Sequence, residues 1–284
     1  MKLSVLFEKA FAKRWIAGPG LDDALDLTRR LNARGLSAQI NYLGEASRGK
    51  DRIKESVDVY LRIVREIKRN GLNADVALKL SEIGLDVSIS FAKENYAKIV
   101  NAALKNGVFV WIDMEEHELV DDTLSIYGSF IKKGNVGLCI QSYLKRSEAD
   151  LQKIVRSGGI VRLVKGAYME SKGISYREPL RTSNYLKLMD YLFIHSKKFM
   201  IATHDTNMIK TALSLNKKYK RKVTYAMLLG VRNKYAIELA KTERVSIYVP
   251  FGERWTKYAF RRLREASNLK LIIKSLIKEP VSKI

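Results

Sequence analysis

The chain has 284 residues, close to half of them apolar, and a formal net charge of +22. Its length suits one large α/β barrel with a sizeable core, and no run approaches the roughly 20 uncharged apolar residues that span a bilayer. A single cysteine, Cys139, excludes an internal disulfide and fits a reducing compartment. Near the start, Leu3, Leu6, Phe7, Ala10, Phe11 and Trp15 recur at helical spacing. Glu8, Lys9, Lys13 and Arg14 interrupt them, which is not a signal-peptide pattern, so a cytoplasmic protein is expected. Gly18-Pro19-Gly20 ends this helix, and Asp22-Asp23 open a second one reaching about Arg34. Gly18-x-Gly20-x-x-Ala24 formally matches a dinucleotide fingerprint, but that motif works between a strand and a helix. Here a helix precedes it, and it reads as a break between helices.

After Gly35 short apolar runs alternate with longer amphipathic stretches. Eight runs read as strands: 37–42, 75–80, 108–113, 136–141, 160–165, 199–203, 222–228 and 245–249. The stretches between them can hold helices, for example 56–69, 93–105, 123–132, 147–157, 183–196 and 207–217. Eight β/α units in this length predict a (β/α)₈ TIM-type barrel, with an open sheet as the alternative if one strand is misread. No Pro/Gly/Ser-rich linker divides the chain. The expected layout is one domain over 1–284: N-terminal helices over 1–35, the barrel over 36–268 and a helical tail over 269–284.

Polar residues gather where the strands end: Asn41 and Glu45, Lys79 and Ser81, Asp113 and Glu115, Gln141, Lys165 and Tyr168, Thr203 and His204, and Tyr248. In a barrel these ends share the face on which active sites are built. The run 160–165 carries two cations, Arg162 and Lys165, among Ile160, Val161, Leu163 and Val164. Burying them is costly without anionic partners, so something anionic or electron-rich is expected where this strand ends. Farther on, Tyr258 neighbours Arg261 and Arg262 at helical spacing, and Arg261 neighbours Glu265. Two guanidinium forks beside a tyrosine suit a carboxylate, although a solvated basic face has the same pattern.

His117, His195 and His204 show no metal-ligand spacing, and no metal is expected. His204 directly follows a strand and is the one histidine placed in a site. Cys139 lies in an apolar run and reads as a buried small hydrophobe. The charge excess fits cations spread over solvated helix faces, and also fits an anionic partner such as nucleic acid, an acidic membrane surface or small anions.

These stretches together resemble the proline dehydrogenase family of flavin-dependent proline oxidases. The matching segments are Asn41-Tyr42-Leu43-Gly44-Glu45, Leu78-Lys79-Leu80-Ser81, Ile112-Asp113-Met114-Glu115 and Ile140-Gln141-Ser142-Tyr143. They continue with Arg162-Leu163-Val164-Lys165-Gly166-Ala167-Tyr168, Ala202-Thr203-His204 and Met227-Leu228-Leu229-Gly230-Val231-Arg232. The last runs from Tyr248-Val249-Pro250 to Arg261-Arg262-Leu263-Arg264-Glu265. The resemblance covers about residues 35 to 268. It implies a distorted (β/α)₈ barrel, a flavin that is usually FAD, and oxidation of L-proline to Δ1-pyrroline-5-carboxylate by hydride transfer from C5 to flavin N5.

By the same resemblance, Lys79, Arg261 and Arg262 bind the substrate carboxylate, and Asp113 lies beside that cluster and holds its cations. Tyr168, Leu228, Tyr248 and Tyr258 wall the ring. Arg162 lies by the flavin N5, with Gln141, Lys165, Gly166, Ala167, Thr203, His204 and Glu265 around the cofactor. Asn41, Thr224, Ala226, Asp205 and Ala266 depart from the family pattern, which leaves FMN open beside FAD. The resemblance implies a quinone as electron acceptor and no nucleic acid. The basic amphipathic stretches at the start and over 269–278 suit either peripheral membrane contact or packing on the barrel. The rival readings are a flavin barrel enzyme for hydroxyproline or another cyclic amine, and a non-catalytic basic protein that binds nucleic acid.

Overall fold

The computed structural model describes residues 14–44, 49–256 and 258. Most of the expected first helix, all of the expected tail, and Glu45, Arg261, Arg262 and Glu265 lie outside the described residues. A helix α1 (Leu21–Asn32) precedes eight strands: β1 (Ser37–Tyr42), β2 (Ala74–Leu78), β3 (Val110–Ile112), β4 (Val136–Gln141), β5 (Ile160–Val164), β6 (Lys198–Ala202), β7 (Lys222–Leu228) and β8 (Arg244–Phe251). They close into a parallel barrel in sequence order, β8 pairing back on β1 with Ala38 opposite Ile247 and Ile40 opposite Val249. Helices follow the strands in turn: α2 (Lys50–Arg69), α3 (Ile89–Asn106), α4 (Val120–Gly128), α5 (Ser147–Arg156), α6 (Leu180–His195), α7 (Thr206–Tyr219) and α8 (Asn233–Leu239). This is the (β/α)₈ barrel that the sequence predicts.

Strand periodicity decides which residues meet. Ile40, Val76, Leu78, Val110, Leu138, Val161, Leu163, Ile201, Val245 and Ile247 turn outward and join the helix faces in one large core. The helices present matching stripes, such as Ile53, Val57, Tyr60, Ile63, Val64 and Ile67 of α2. The alternate residues turn into the barrel, where Ala77, Trp111, Met200 and Ala226 form a separate cluster with Phe109, Ile160, Ala202 and Tyr248 around it. Above that layer the inward positions become polar. The barrel is therefore plugged below and open to chemistry at the C-terminal ends of its strands.

Local rules fix several helix starts. Asp205 caps α7 by accepting from the amides of Asn207 (2.9 Å) and Met208 (3.1 Å), and the Ser88 hydroxyl caps α3 by accepting from Phe91 N at 3.1 Å. Gly20 stands at the N-terminus of α1, and 16–18 before it are not a strand, so Gly18-x-Gly20-x-x-Ala24 lacks a dinucleotide context. His195 ends α6 and is exposed, its ring 4.3 Å from that of Tyr191.

Candidate active site

The inward polar residues meet in a cavity holding about 1060 Å³ of open space, solvent at its mouth included. Lys79, Asp113, Gln141, Arg162, Lys165, Gly166, Ala167, Tyr168, Thr203, His204, Leu228, Tyr248 and Tyr258 all line it. The structure thus gathers every described residue that the sequence nominated for the site, although they come from seven different β/α units.

Arg162 is the centre of the arrangement. Its position on β5 points into the barrel, where it is 3% exposed. The guanidinium is held on every side: Nε donates to Cys139 Sγ at 2.8 Å, Nη1 to Gln39 Oε1 and Nη2 to Asp113 Oδ1. Its flat faces lie 5.4 Å from the centroid of Trp111 and 5.7 Å from that of Tyr248. Tyr248 donates its hydroxyl to Asp113 Oδ2 at 2.6 Å. Burial, reinforced by the Asp113 charge, keeps that phenol protonated, its pKa well above the usual tyrosine range. One carboxylate therefore bridges a fixed cation and a fixed phenol. Cys139 is buried as expected, and burial pushes its thiol up to about 11, so it packs as a neutral acceptor for Arg162.

The partner of Lys79 differs from the expectation. Lys79 Nζ pairs with Glu82 Oε1 at 2.8 Å, whereas Asp113 pairs with Arg162 across the barrel. The reason is local: beyond β2 the chain tightens into a 3₁₀ turn, Ser81–Ile83, which places Glu82 three residues on from Lys79 and beside it. Tyr60 supports the same carboxylate by donating to Glu82 Oε2 at 2.6 Å. Sequence reading did not name Glu82, and its i+3 spacing from Lys79 was the available signal.

The exit of β5 is set by Gly166. Its φ of +101° is a conformation that side chains rarely adopt, and an added Cβ would lie 2.1 Å from the Tyr143 ring. Arg181 bonds the Gly166 carbonyl and stacks 5.7 Å from the Tyr143 centroid. His204 accepts from Leu228 N at 3.1 Å through Nε2, which assigns the ring proton of the neutral form to Nδ1. Arg232, itself at φ +55°, bonds the His204 carbonyl. Gln39, Trp111 and Arg181 also escaped sequence reading. Gln39 and Trp111 stand two residues before Asn41 and Asp113, so strand alternation puts each pair on one face, whereas Arg181 starts a helix and carried no signal.

The cavity suits a flavin. Among the described residues, Lys79, Arg162, Lys165 and Arg181 face one lining carboxylate, Asp113, which leaves these walls cationic for an anionic ligand. Arg181 Nε is buried without a protein partner, a donor aimed at a group of that kind. Apolar Met114, Val164, Ala202, Ala226 and Met227 supply walls for a flat ring.

Comparison with known proteins agrees with this geometry. The family model described as proline dehydrogenase matches residues 24–271. The chain is 32% identical over 275 residues to "Proline dehydrogenase 2" of Bacillus subtilis (strain 168), covering 94% of this chain and 91% of that protein. It is 27% identical over 279 residues to "Proline dehydrogenase" of Deinococcus radiodurans, covering 94% and 90%. Among solved structures, proline utilization A from Bdellovibrio bacteriovorus, inactivated by N-propargylglycine, superposes with a TM-score of 0.86 at 20% identity. That match covers 95% of this chain and 34% of the larger one, so this chain spans about a third of that protein and shares its fold. A family model matched across most of the chain, together with curated relatives matched over nearly their full length, identifies the chain as a member of the proline dehydrogenase family, flavin-dependent oxidoreductases.

Proposed function

We propose that this protein oxidises L-proline to Δ1-pyrroline-5-carboxylate with bound FAD, and that its electrons pass on to a quinone. The observation that carries the reading is the buried Arg162–Asp113–Tyr248 unit in one cavity with Lys79, in a chain of this family.

A bound flavin would supply the two-electron acceptance, its N5 receiving the hydride from proline C5. The residues of this chain do the rest. Lys79, joined by Arg261 and Arg262, neutralises the substrate carboxylate, and several converging donors fix which ring carbon faces the cofactor. Tyr168, Leu228, Tyr248 and Tyr258 close around the ring and exclude water. Arg162, held by Asp113, Gln39 and Cys139, offers a fixed positive charge where negative charge arrives. Gly166, Ala167, Lys165, Gln141, Thr203, His204 and Glu265 hold the cofactor, and the Arg181 donor adds a cation for its phosphate end. The overall balance is one hydride from C5 and one proton from nitrogen, leaving the cyclic imine.

The net charge of +22 supports a peripheral contact with an anionic membrane where a quinone is met. No helix among the described residues is long and apolar enough to cross a membrane. The test is to purify the protein, release and identify its flavin by mass, and trap the imine with 2-aminobenzaldehyde on turnover with L-proline and a soluble quinone. A colourless protein, or a yellow one that forms no imine, would overturn the reading; released FMN would overturn the FAD assignment alone.

A further inference from the structure

Residues 14–18 run without helix across the ends of β7 and β8, the strands that carry Leu228 and Tyr248. Three hydrogen bonds fasten this strap. Arg14 Nε donates to the Gly230 carbonyl at 2.7 Å, Ala17 N to the Pro250 carbonyl at 2.8 Å, and Gly252 N to the Gly18 carbonyl at 3.0 Å. The approach is close enough to dictate a residue type. Gly230 has a φ of +76°, and a Cβ added there would lie 2.2 Å from the Arg14 carbonyl oxygen. The strap is thereby held at one height over the loops that follow β7 and β8.

That height places Trp15, 1% exposed, and Ile16 in an apolar cluster with Leu43, Val231 and Tyr258, against which Leu228, Tyr248 and Trp255 pack. Leu228, Tyr248 and Tyr258 also line the cavity. Each of these three therefore has one side toward the cavity and another against packed apolar atoms. A wall backed in this way yields little, because close-packed interiors leave few voids for a side chain to retreat into. A larger ring in the cavity would have to press the wall into space that the indole fills. We infer that Trp15 is a positioning residue that sets the ring size the site admits, acting through Tyr258, Leu228 and Tyr248. The substrate class it selects is the five-membered cyclic amino acid over its six-membered homologue, which carries one more ring methylene. This inference rests on the reading of those three residues as the wall of the substrate ring.

The test compares cyclopentanecarboxylate with cyclohexanecarboxylate, which keep the carboxylate and differ by that one methylene. Binding of each to the flavin-loaded protein is measured by calorimetry, and the readout is the ratio of the two dissociation constants. Wild type is expected to favour the five-membered ring by about tenfold or more, the discrimination one methylene gives in a closed apolar pocket. Trp15→Ala opens a void behind the wall and should cut that ratio about fivefold or more, chiefly by tightening the six-membered ligand. Trp15→Leu removes less volume and should cut it about threefold, so it decides if the alanine variant fails to fold. A merely structural role would lower the thermal midpoint and weaken both ligands alike, leaving the ratio where it was. An unchanged ratio in a folded variant, or a wild type that does not distinguish the rings, would refute this inference and spare the proposed function. Failure of both ligands to bind wild type would remove the reading of the ring wall and this inference with it.

Discussion

Truncating Asp113 should expose how tightly the barrel interior is charge-matched. The Arg162 and Asp113 side chains are 4% and 15% exposed, so neither is compensated by bulk water. Among the described residues, Asp113→Ala leaves a buried guanidinium with only the neutral acceptors Gln39 and Cys139 and strips the Tyr248 hydroxyl of the Asp113 carboxylate. Breaking a buried pair from one side costs about 3–5 kcal/mol. At about 2–4 °C per kcal/mol for a large domain, the thermal midpoint should fall by roughly 6–20 °C. Arg162→Met removes the other charge, and the double variant removes both. Its loss should be smaller than the sum of the single losses by about 1–3 kcal/mol, since neither orphan remains. The assay is thermal and urea unfolding of flavin-stripped protein, which keeps cofactor binding out of the comparison. Additivity within about 0.5 kcal/mol would refute the pairing, as would an Asp113→Ala midpoint unchanged from wild type. The exposed pair Lys241–Glu238, 65% and 68% exposed, is the control and should matter by less than about 1 kcal/mol.

Other perturbations follow from the same interior. Tyr248→Phe keeps the ring beside Arg162 and loses one hydrogen bond to a carboxylate, so unfolding should show a loss of about 1.5–3 kcal/mol; no loss would place the 2.6 Å contact in doubt. Gly166→Ala should lose about 2 kcal/mol or more, from an unfavourable φ and a collision with Tyr143, and should release flavin during gel filtration. Asp75 accepts from Trp111 Nε1 at 2.9 Å, and burial raises its carboxyl from 3.8 to about 6. The folded state then binds the extra proton, so this group's stabilisation is complete below about pH 4 and is lost as pH rises through about 6, by at most about 3 kcal/mol. Asp75→Asn should flatten that slope in pH-dependent unfolding, and an unaltered slope would assign it elsewhere.

Much of the barrel was legible because each strand repeats one simple alternation. The runs 37–42, 136–141 and 222–228 match the observed strands end for end. Run 75–80 extends past the true end of β2, because Leu80 belongs to the turn that positions Glu82, and apolar content alone does not distinguish a strand from a 3₁₀ approach. Periodicity does not single out α8 either: it has seven residues, and Arg232 before it adopts a left-handed conformation that no capping pattern announces. Site residues at strand ends were readable one by one. Their partnerships were not, since Arg162–Asp113 is 49 residues apart in sequence and Arg162–Gln39 is 123. The electrostatic puzzle of a cation in the β5 core was visible in the sequence, but its solution required the closed barrel.

The most direct test of the account is anaerobic stopped-flow reduction of the bound flavin by L-proline, compared with proline deuterated at C5 or at the α-carbon. The account predicts bleaching of the flavin bands, slowed severalfold by deuterium at C5 and unchanged by deuterium at the α-carbon. An isotope effect from the α-carbon, or a flavin that L-proline leaves oxidised, would contradict it.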